Sequence, residues 1–142
     1  MKKAGRVALI MSTGIMAMTV FSTTLSAQDK PKGTPWDAPP ASAAVKSPVK
    51  ADAAAISEGK TIYTQSCKSC HGAKGLGDGE KSKKIDISCG NFTLADFSKQ
   101  TEGAIYWKIT EGRKPMPSFN EKLNDTERWK VVEYIRSMKN EK

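Results

Sequence analysis

The apolar residues of this chain follow the 3.6-residue spacing of amphipathic helices in three segments, all after residue 50. The clearest pattern covers residues 124–138, where Trp129, Val132 and Ile135 line one side. An Asn-Asp pair, Asn124 and Asp125, stands at its start and is typical of a helix cap. We therefore predict a C-terminal helix over this segment.

Two weaker patterns predict two more helices. One runs from a cap at Asp52 or Ser57 to about residue 65, and the other covers 100–111 and ends at Gly112. No segment alternates as a strand does, and no internal repeat is present. The pattern predicts an all-α fold with three or so helices joined by long loops.

The first 27 residues have the form of an export signal. A basic start precedes a mostly apolar run over 7–21, and small residues lead up to Ala27. The alternative is an uncleaved membrane anchor, but several Ser, Thr and Gly residues dilute the run below what a spanning helix needs. We predict a signal peptide over 1–27 and a periplasmic location for the mature protein.

The segment that follows, 28–55, is rich in Pro, Ala and Lys and has few large apolar side chains. Such a composition predicts a flexible linker. Trp36 within it is interpreted as an isolated exposed aromatic, with docking onto a partner or back onto the domain as the alternative. The remaining 56–142 is predicted to form one small domain, whose thin core calls for a metal, a disulfide or a cofactor.

The charge of the chain argues against nucleic-acid binding. The sequence holds 23 Lys and Arg against 15 Asp and Glu, for a net charge of +8. The predicted leader accounts for three of the basic residues and none of the acidic ones. The excess that remains is moderate and mixed with acids, which is typical of a solvated surface with some lysines that steer a partner.

Positions 67–71 read CKSCH, the form C-x-x-C-H that attaches c-type haem. The two sulfurs reach two vinyl-derived carbons on one edge of the porphyrin, and the imidazole that follows ligates the iron. We predict one haem c, attached covalently through Cys67 and Cys70, with His71 as an iron ligand.

Two other chemistries use the same residue types. A zinc site could draw on Cys67, Cys70, Cys89 and His71, but structural zinc ligands come as two pairs and Cys89 stands alone. A redox dithiol of the thioredoxin type would need a βαβ pattern, which is missing. Both remain alternatives to haem at this point.

The second iron ligand is sought among the methionines, because His71 is the only histidine. Beyond the leader there are two, Met116 and Met138. Met138 belongs to the apolar side of the last predicted helix and is interpreted as core. Met116 stands between Pro115 and Pro117, so its thioether is carried by a stiff loop. We predict that Met116 is the second ligand, with simple gap filling as the alternative.

Three segments, CKSCHGAKGLGDGE, IYWKITEGRKPMPSF and ERWKVVEYIRSM, occur in that order and resemble the class I monohaem cytochromes c over nearly all of 56–142. The resemblance implies three to four helices and long loops wrapped around one covalent haem. It implies that the first and last helices cross where Gly59 and Tyr63 meet Tyr134. It also implies the roles already given to the two thiols, the imidazole and the thioether.

Some residues fall outside the family pattern or have only candidate roles. Many relatives have a proline soon after the haem motif whose carbonyl holds the imidazole, and none occurs here before Pro115. Cys89 is interpreted as a small buried residue. Trp107 and Arg113 are candidates to hydrogen-bond the haem propionates. The glycines at 75, 77 and 79 are expected to let the backbone lie close to the macrocycle.

Iron with six ligands has no vacant position for a substrate, so the resemblance predicts a one-electron carrier, not an enzyme. The alternative is a haem peroxidase or gas-ligand sensor with a labile Met116. Lys74, Lys81 and Lys114 are candidates to steer acidic redox partners, such as a quinol-oxidising complex, an oxidase or a reductase. The long linker favours a haem subunit of a membrane respiratory complex over a free shuttle. Membrane association would then come through a partner or an uncleaved leader.

Overall fold

The computed structural model describes residues 33–140 of the chain, and the predicted leader lies outside them. Six α-helices follow one another in this range: α1 (Pro40–Ala43), α2 (Ala53–Ser66), α3 (Lys68–His71), α4 (Ala95–Ser98), α5 (Glu102–Glu111) and α6 (Asp125–Ser137). Two 3₁₀ turns, Glu80–Lys84 and Met138–Asn140, complete the helical structure. The described residues contain an isolated β-bridge but no strand. The predicted all-α fold is confirmed.

The three long helices begin at the caps that their sequences provide. The Asp52 carboxylate accepts from a backbone N–H of the first turn of α2, and the Thr101 hydroxyl does the same for α5. Asn124 and Glu127 form a reciprocal capping box at the start of α6. Gly112 ends α5 with a φ of +65°, a conformation that favours glycine. The predicted boundaries of these helices are therefore confirmed to within two residues.

Helices α2 and α6 cross at close range. A Cβ added to Gly59 would lie 2.0 Å from the carbonyl oxygen of Lys130, so only glycine fits there. Next to it the rings of Tyr63 and Tyr134 meet edge to face, with centroids 5.2 Å apart. The crossing of the first and last long helices that the family resemblance implies is confirmed.

The apolar core lies under this crossing. Val131 and Val132 of α6 have no exposed surface, and Met138 is 2% exposed, as its interpretation as a core residue required. Phe92, in the loop before α4, and Phe119, in the loop after α5, belong to the same cluster. Between residues 33 and 140, no helix is both long enough and apolar enough to cross a membrane.

Residues 33–49, called the N-terminal strap below, pack against α5. The Thr101 hydroxyl donates to the carbonyl of Ala43 at 2.7 Å. The amide of Ser47 donates to the carboxylate of Glu102 at 3.1 Å. The strap is thus fixed to the start of α5 by polar contacts between residues more than fifty positions apart.

Part of the segment predicted to be a flexible linker, 28–55, is the strap, which lies directly on α5. The physical reason lies in small residues, since a Cβ on Gly103 would lie 2.4 Å from the carbonyl oxygen of Ser42. Backbone can therefore lie directly on α5 without any large apolar side chain in the strap. Residues 28–32 lie outside the described range.

Candidate functional site

A cavity of about 760 Å³ lies between the end of α2, α5, the segment before α4 and the loop after α5. Its walls are largely apolar and include Ile105, Ile109 and Phe97. All four residues that the sequence singled out also line it: Cys67, Cys70, His71 and Met116. A space of this size with a few convergent polar atoms is suited to a large, mostly apolar ligand.

The C-x-x-C-H segment is held in one turn of helix. Helix α2 ends at Ser66, and the amides of Cys70 and His71 both donate to the carbonyl of Cys67 at 3.1 and 3.0 Å. This turn keeps both sulfurs and the imidazole at the same wall of the cavity. The local geometry is therefore compatible with attachment of one planar group through two thioethers.

The state of the thiols gives no support to the two alternative chemistries. Burial, with a smaller contribution from Cys70, raises the pKa of Cys67 to about 12, whereas reactive dithiols have lowered values. No disulfide joins Cys67 to Cys70. Within 33–140 no group of three or more His, Cys, Asp or Glu side chains is arranged to hold a metal ion.

The imidazole of His71 stacks on Phe92, with ring centroids 4.8 Å apart. Its Nδ1 is buried and has no hydrogen-bond partner. Burial lowers the pKa of His71, and the backbone of Cys89, which lies against the ring, acts in the opposite direction. A neutral imidazole, the form that ligates a metal, is thus favoured.

Met116 lies in a tight loop between α5 and α6. Its amide donates to the carbonyl of Arg113 at 2.9 Å, and the Lys114–Pro115 peptide bond is cis. After the loop, the amide of Phe119 donates back to the carbonyl of Ile109 in α5 at 3.2 Å. The half-buried thioether of Met116 is therefore brought to the cavity by backbone constraints on both sides.

Two cations face the cavity beside the strap, Arg113 and Lys108. In the described part of the chain, neither makes an ion pair with a carboxylate. Burial lowers the pKa of Lys108, partly offset by Asp37, while Arg113 lowers it further. Lys108 donates to the Gln100 side chain and Arg113 to the carbonyls of Thr34 and Pro35, all neutral acceptors. Cations without a carboxylate partner at the edge of an apolar cavity suit a ligand with anionic groups, and haem has two propionates.

The sequence indicated Arg113 as a candidate for the propionates but did not indicate Lys108. The signal available for Lys108 was its position in the α5 sequence between the apolar residues Ile105 and Ile109, which line the cavity with it.

Trp36 and Trp107 are placed differently from what the sequence predicted. Trp36 lines the cavity, its ring centroid is 6.2 Å from that of Trp107, and the guanidinium carbon of Arg113 is 4.7 Å from its centroid. The interpretation of Trp36 as an isolated exposed aromatic is therefore wrong. Trp107 does not line the cavity, so its candidate role at the propionates receives no support.

The glycine loop and Cys89 also need correction. Added Cβ atoms would meet protein atoms: the sulfur of Met138 at 2.6 Å for Gly75, the carbonyl oxygen of Gly90 at 2.6 Å for Gly77. Neither these two glycines nor Gly79 lines the cavity, so they let the loop pack on the protein and not on the macrocycle. Cys89 is half-buried at the cavity wall instead of being buried in the core.

The crossed helices, the C-x-x-C-H turn and the cavity define a class I monohaem c-type cytochrome. Residues 54–135 match the family described as cytochrome c oxidase, cbb3-type, subunit III. The match takes in more than half of the chain, and the chain belongs to this family.

Individual relatives agree with this assignment. Cytochrome c6 of Diacronema lutheri is 29% identical over 85 residues, covering 58% of this chain and 94% of that protein. Cytochrome c6 of Alaria esculenta is 31% identical over 81 residues, covering 56% of this chain and 87% of that protein.

Two solved structures are similar as well. One is the Kuenenia stuttgartiensis reducing HAO-like protein complex Kustc0457/Kustc0458, with a TM-score of 0.59, 32% identity and coverage of 64% of this chain. This chain spans only 46% of that one. The other is the KustC0563 c-type cytochrome, with a TM-score of 0.50, 30% identity, and coverage of 57% of this chain and 96% of that one. The chain is an electron carrier with one covalently bound haem c, as the sequence predicted.

Proposed function

We propose that this cytochrome carries its haem on thioether bonds from Cys67 and Cys70 and ligates the iron with His71 and Met116. The observation that carries the proposal is that all four side chains line one cavity of suitable size, although Met116 lies far along the chain from the other three. Bound haem c supplies a one-electron iron(III)/iron(II) couple.

The residues of the chain then do three things. His71 contributes a neutral imidazole, kept in that form by burial. Met116 would contribute a soft thioether, and sulfur ligation would raise the reduction potential of the iron. Ile105 and Ile109 supply apolar wall that excludes water, which favours the form of the iron with less charge. Together they support electron exchange without a vacant site for substrate.

The anionic edge of the haem is assigned to the strap side of the cavity. There Arg113 and Lys108 offer positive charge that no described carboxylate pairs with. Binding of two propionates would compensate both cations at once, and it would restore the pKa of Lys108 toward its ordinary value. The proposed orientation of the haem therefore places its propionates beside the strap.

The test is a visible spectrum of the protein produced with haem-attachment machinery. The oxidised protein is expected to show the weak sulfur-to-iron charge-transfer band of a His/Met haem. Met116→Ala should abolish that band and lower the potential, whereas Met138→Leu, a volume-conserving change in the core, should keep both. A band that survives Met116→Ala would contradict the proposed ligand. Tight binding of carbon monoxide by the unaltered protein would favour the peroxidase or sensor alternative.

The proposal extends to the setting in which electrons are exchanged. We place the mature protein in the periplasm at the outer face of the inner membrane, as a haem subunit of a respiratory complex. Membership of a family named for an oxidase subunit supports this, and so does a structural neighbour from a multiprotein complex. Its partners would be redox proteins with acidic surfaces, met by the exposed lysines Lys74, Lys81 and Lys114.

Two measurements address this setting. Mass spectrometry of the exported protein should find a chain that begins at residue 28, followed by the strap and the domain over 56–142. Membrane fractions washed with salt should retain the protein together with a partner. A fully salt-extractable monomer would instead support a free shuttle.

A further inference from the structure

The N-terminal strap forms one side of the haem cavity. Residues 33–38, together with Ala43, line it directly. On one wall Gly33 lies beside the side chain of Ile87, and on another the strap meets Arg113. The strap therefore spans the cavity from the segment before α4 to the loop that carries Met116.

Arg113 connects the strap to that loop. Its Nη1 donates to the carbonyls of Thr34 and Pro35, both at 3.1 Å, and its guanidinium lies over the Trp36 ring. Its own backbone carbonyl accepts the amide of Met116 at 2.9 Å. Hydrogen bonds from a charged donor and a cation–π contact are strong when partly removed from water. One residue thus ties the strap to the turn that holds the thioether.

Trp36 completes the contact from the strap side. Its ring lies against Trp107 and Arg113, with the Lys108 ammonium 5.8 Å from the ring centroid. The aromatic surface is thus already occupied by residues of the same chain. This placement gives Trp36 a role inside the site and removes the need for a partner to cover it.

We propose that Trp36 is a positioning residue for electron transfer: it holds the Met116 loop closed over the haem and keeps water from the haem edge. The inference rests on the proposed ligation by Met116. Release of the strap would free Arg113, loosen the Met116 turn and admit water. Each of these changes would favour dissociation of the thioether and lower the reduction potential.

The test uses the full-length holoprotein with Trp36→Ala, Trp36→Phe and, as matched control on the same strap, Val45→Ala. Val45 is 46% exposed and does not line the cavity. Carbon monoxide needs a vacant iron position, so its apparent affinity for the reduced protein reports the fraction of molecules with the loop open. We expect Trp36→Ala to raise that affinity by about tenfold or more. When the solution is held at a fixed redox potential, Trp36→Ala should lower the ratio of reduced to oxidised protein by about threefold.

Trp36→Phe keeps an aromatic ring over Arg113 and should restore most of the unaltered behaviour, and Val45→Ala should match the unaltered protein. A structural role alone would lower the melting temperature of Trp36→Ala without changing carbon monoxide affinity or potential, and that result would overturn the inference. Absence of the sulfur-to-iron band in the unaltered protein would instead overturn the proposed Met116 ligation.

A second variant covers failure of Trp36→Ala to fold. Gly103→Ala would place a Cβ 2.4 Å from the Ser42 carbonyl and 2.5 Å from the Val45 carbonyl. The change would displace the strap through a contact that is not part of the cavity wall. The change favours helix in α5, because Ala is the better helix former. We expect the same direction of change in carbon monoxide affinity and potential. If Gly103→Ala dislodges the strap, seen as faster proteolysis within it, and leaves both quantities unaltered, the inference is wrong.

Discussion

The α2–α6 crossing and the strap side of the cavity are held together by different kinds of contact. At the crossing, Gly59 brings two backbones together, and Val131 and Val132 are fully buried. On the strap side, the guanidinium of half-buried Arg113 lies over the Trp36 ring and donates to the carbonyls of Thr34 and Pro35, beside a space of about 760 Å³. One region is filled by protein atoms, and the other surrounds the place of the cofactor.

This difference separates what folds the chain from what sets its chemistry. Packing at the crossing is independent of any ligand, because the atoms that fill it belong to the helices themselves. The walls of the cavity lack contacts on their inner side until haem is attached. We therefore expect changes at the crossing to appear as stability and changes on the strap side to appear as potential and ligand access.

The largest effect should come from removing the attachment points. The double variant Cys67→Ser, Cys70→Ser should carry no haem that survives denaturation, because no thioether can form. Without the group that fills the cavity, its walls lose their packing and helicity should fall, since a ligand that binds only the folded state stabilises that state. Haem staining of a denaturing gel and far-ultraviolet circular dichroism measure the two consequences.

The matched control is Cys89→Ser, at a thiol that also lines the cavity but lies outside the C-x-x-C-H segment. It should retain covalent haem. If the double variant kept covalent haem, the attachment points would be elsewhere. If it lost haem but kept full helicity, the cavity walls would not depend on the cofactor.

The next effect compares two glycine-to-alanine changes in helices. Gly59→Ala forces a Cβ to 2.0 Å from the Lys130 carbonyl and 3.0 Å from the Cβ of Tyr134. The two helices must move apart, at a cost of about 3 kcal/mol. Gly103→Ala pushes against the strap alone, and loss of the strap's hydrogen bonds to Thr101 and Glu102 should cost about 1–2 kcal/mol, less than the change at the crossing. Denaturant unfolding of the two holoproteins measures both.

Equal losses of stability in these two variants would remove the distinction between the regions. A carbon monoxide affinity raised by Gly59→Ala but not by Gly103→Ala would reverse it. The pair is well matched because both changes add one methyl group to a buried helical glycine.

The sequence predicted best those features whose signals are local. The caps at Asp52 and Asn124 and the terminator Gly112 act within one turn of helix, so their residue types were sufficient. The C-x-x-C-H motif was recognised in the sequence because its signal, too, is local and spans only five residues. Met116 was singled out by its neighbouring prolines, and the structure brings it to the cavity that His71 also lines.

The features that the sequence missed depend on contacts between distant residues. The strap lacks large apolar side chains, and its contacts with α5 come from a hydroxyl, a carboxylate and the space left by Gly103. The amino-acid composition of a segment does not show which distant residues it will contact. The same holds for Lys108, whose significance arises only when α5 turns it toward the cavity beside Arg113. The glycine loop was misread because its close neighbours are protein atoms from other loops.

The smallest effect concerns Tyr63 at the edge of the crossing, where its hydroxyl donates to the Gly72 carbonyl at 2.7 Å. Burial raises the pKa of Tyr63 above its ordinary value of 10.0. The folded state thus holds this proton more tightly than the unfolded state, so the stabilisation is complete below about pH 10 and is lost as the pH rises further.

Tyr63→Phe should cost about 1 kcal/mol at neutral pH through the lost hydrogen bond. It should also flatten the decline of stability above about pH 10, measured by denaturant unfolding across pH. A variant whose decline is as steep as that of the unaltered protein would assign the alkaline loss to other groups, and Tyr106→Phe, at a less buried hydroxyl, serves as the control.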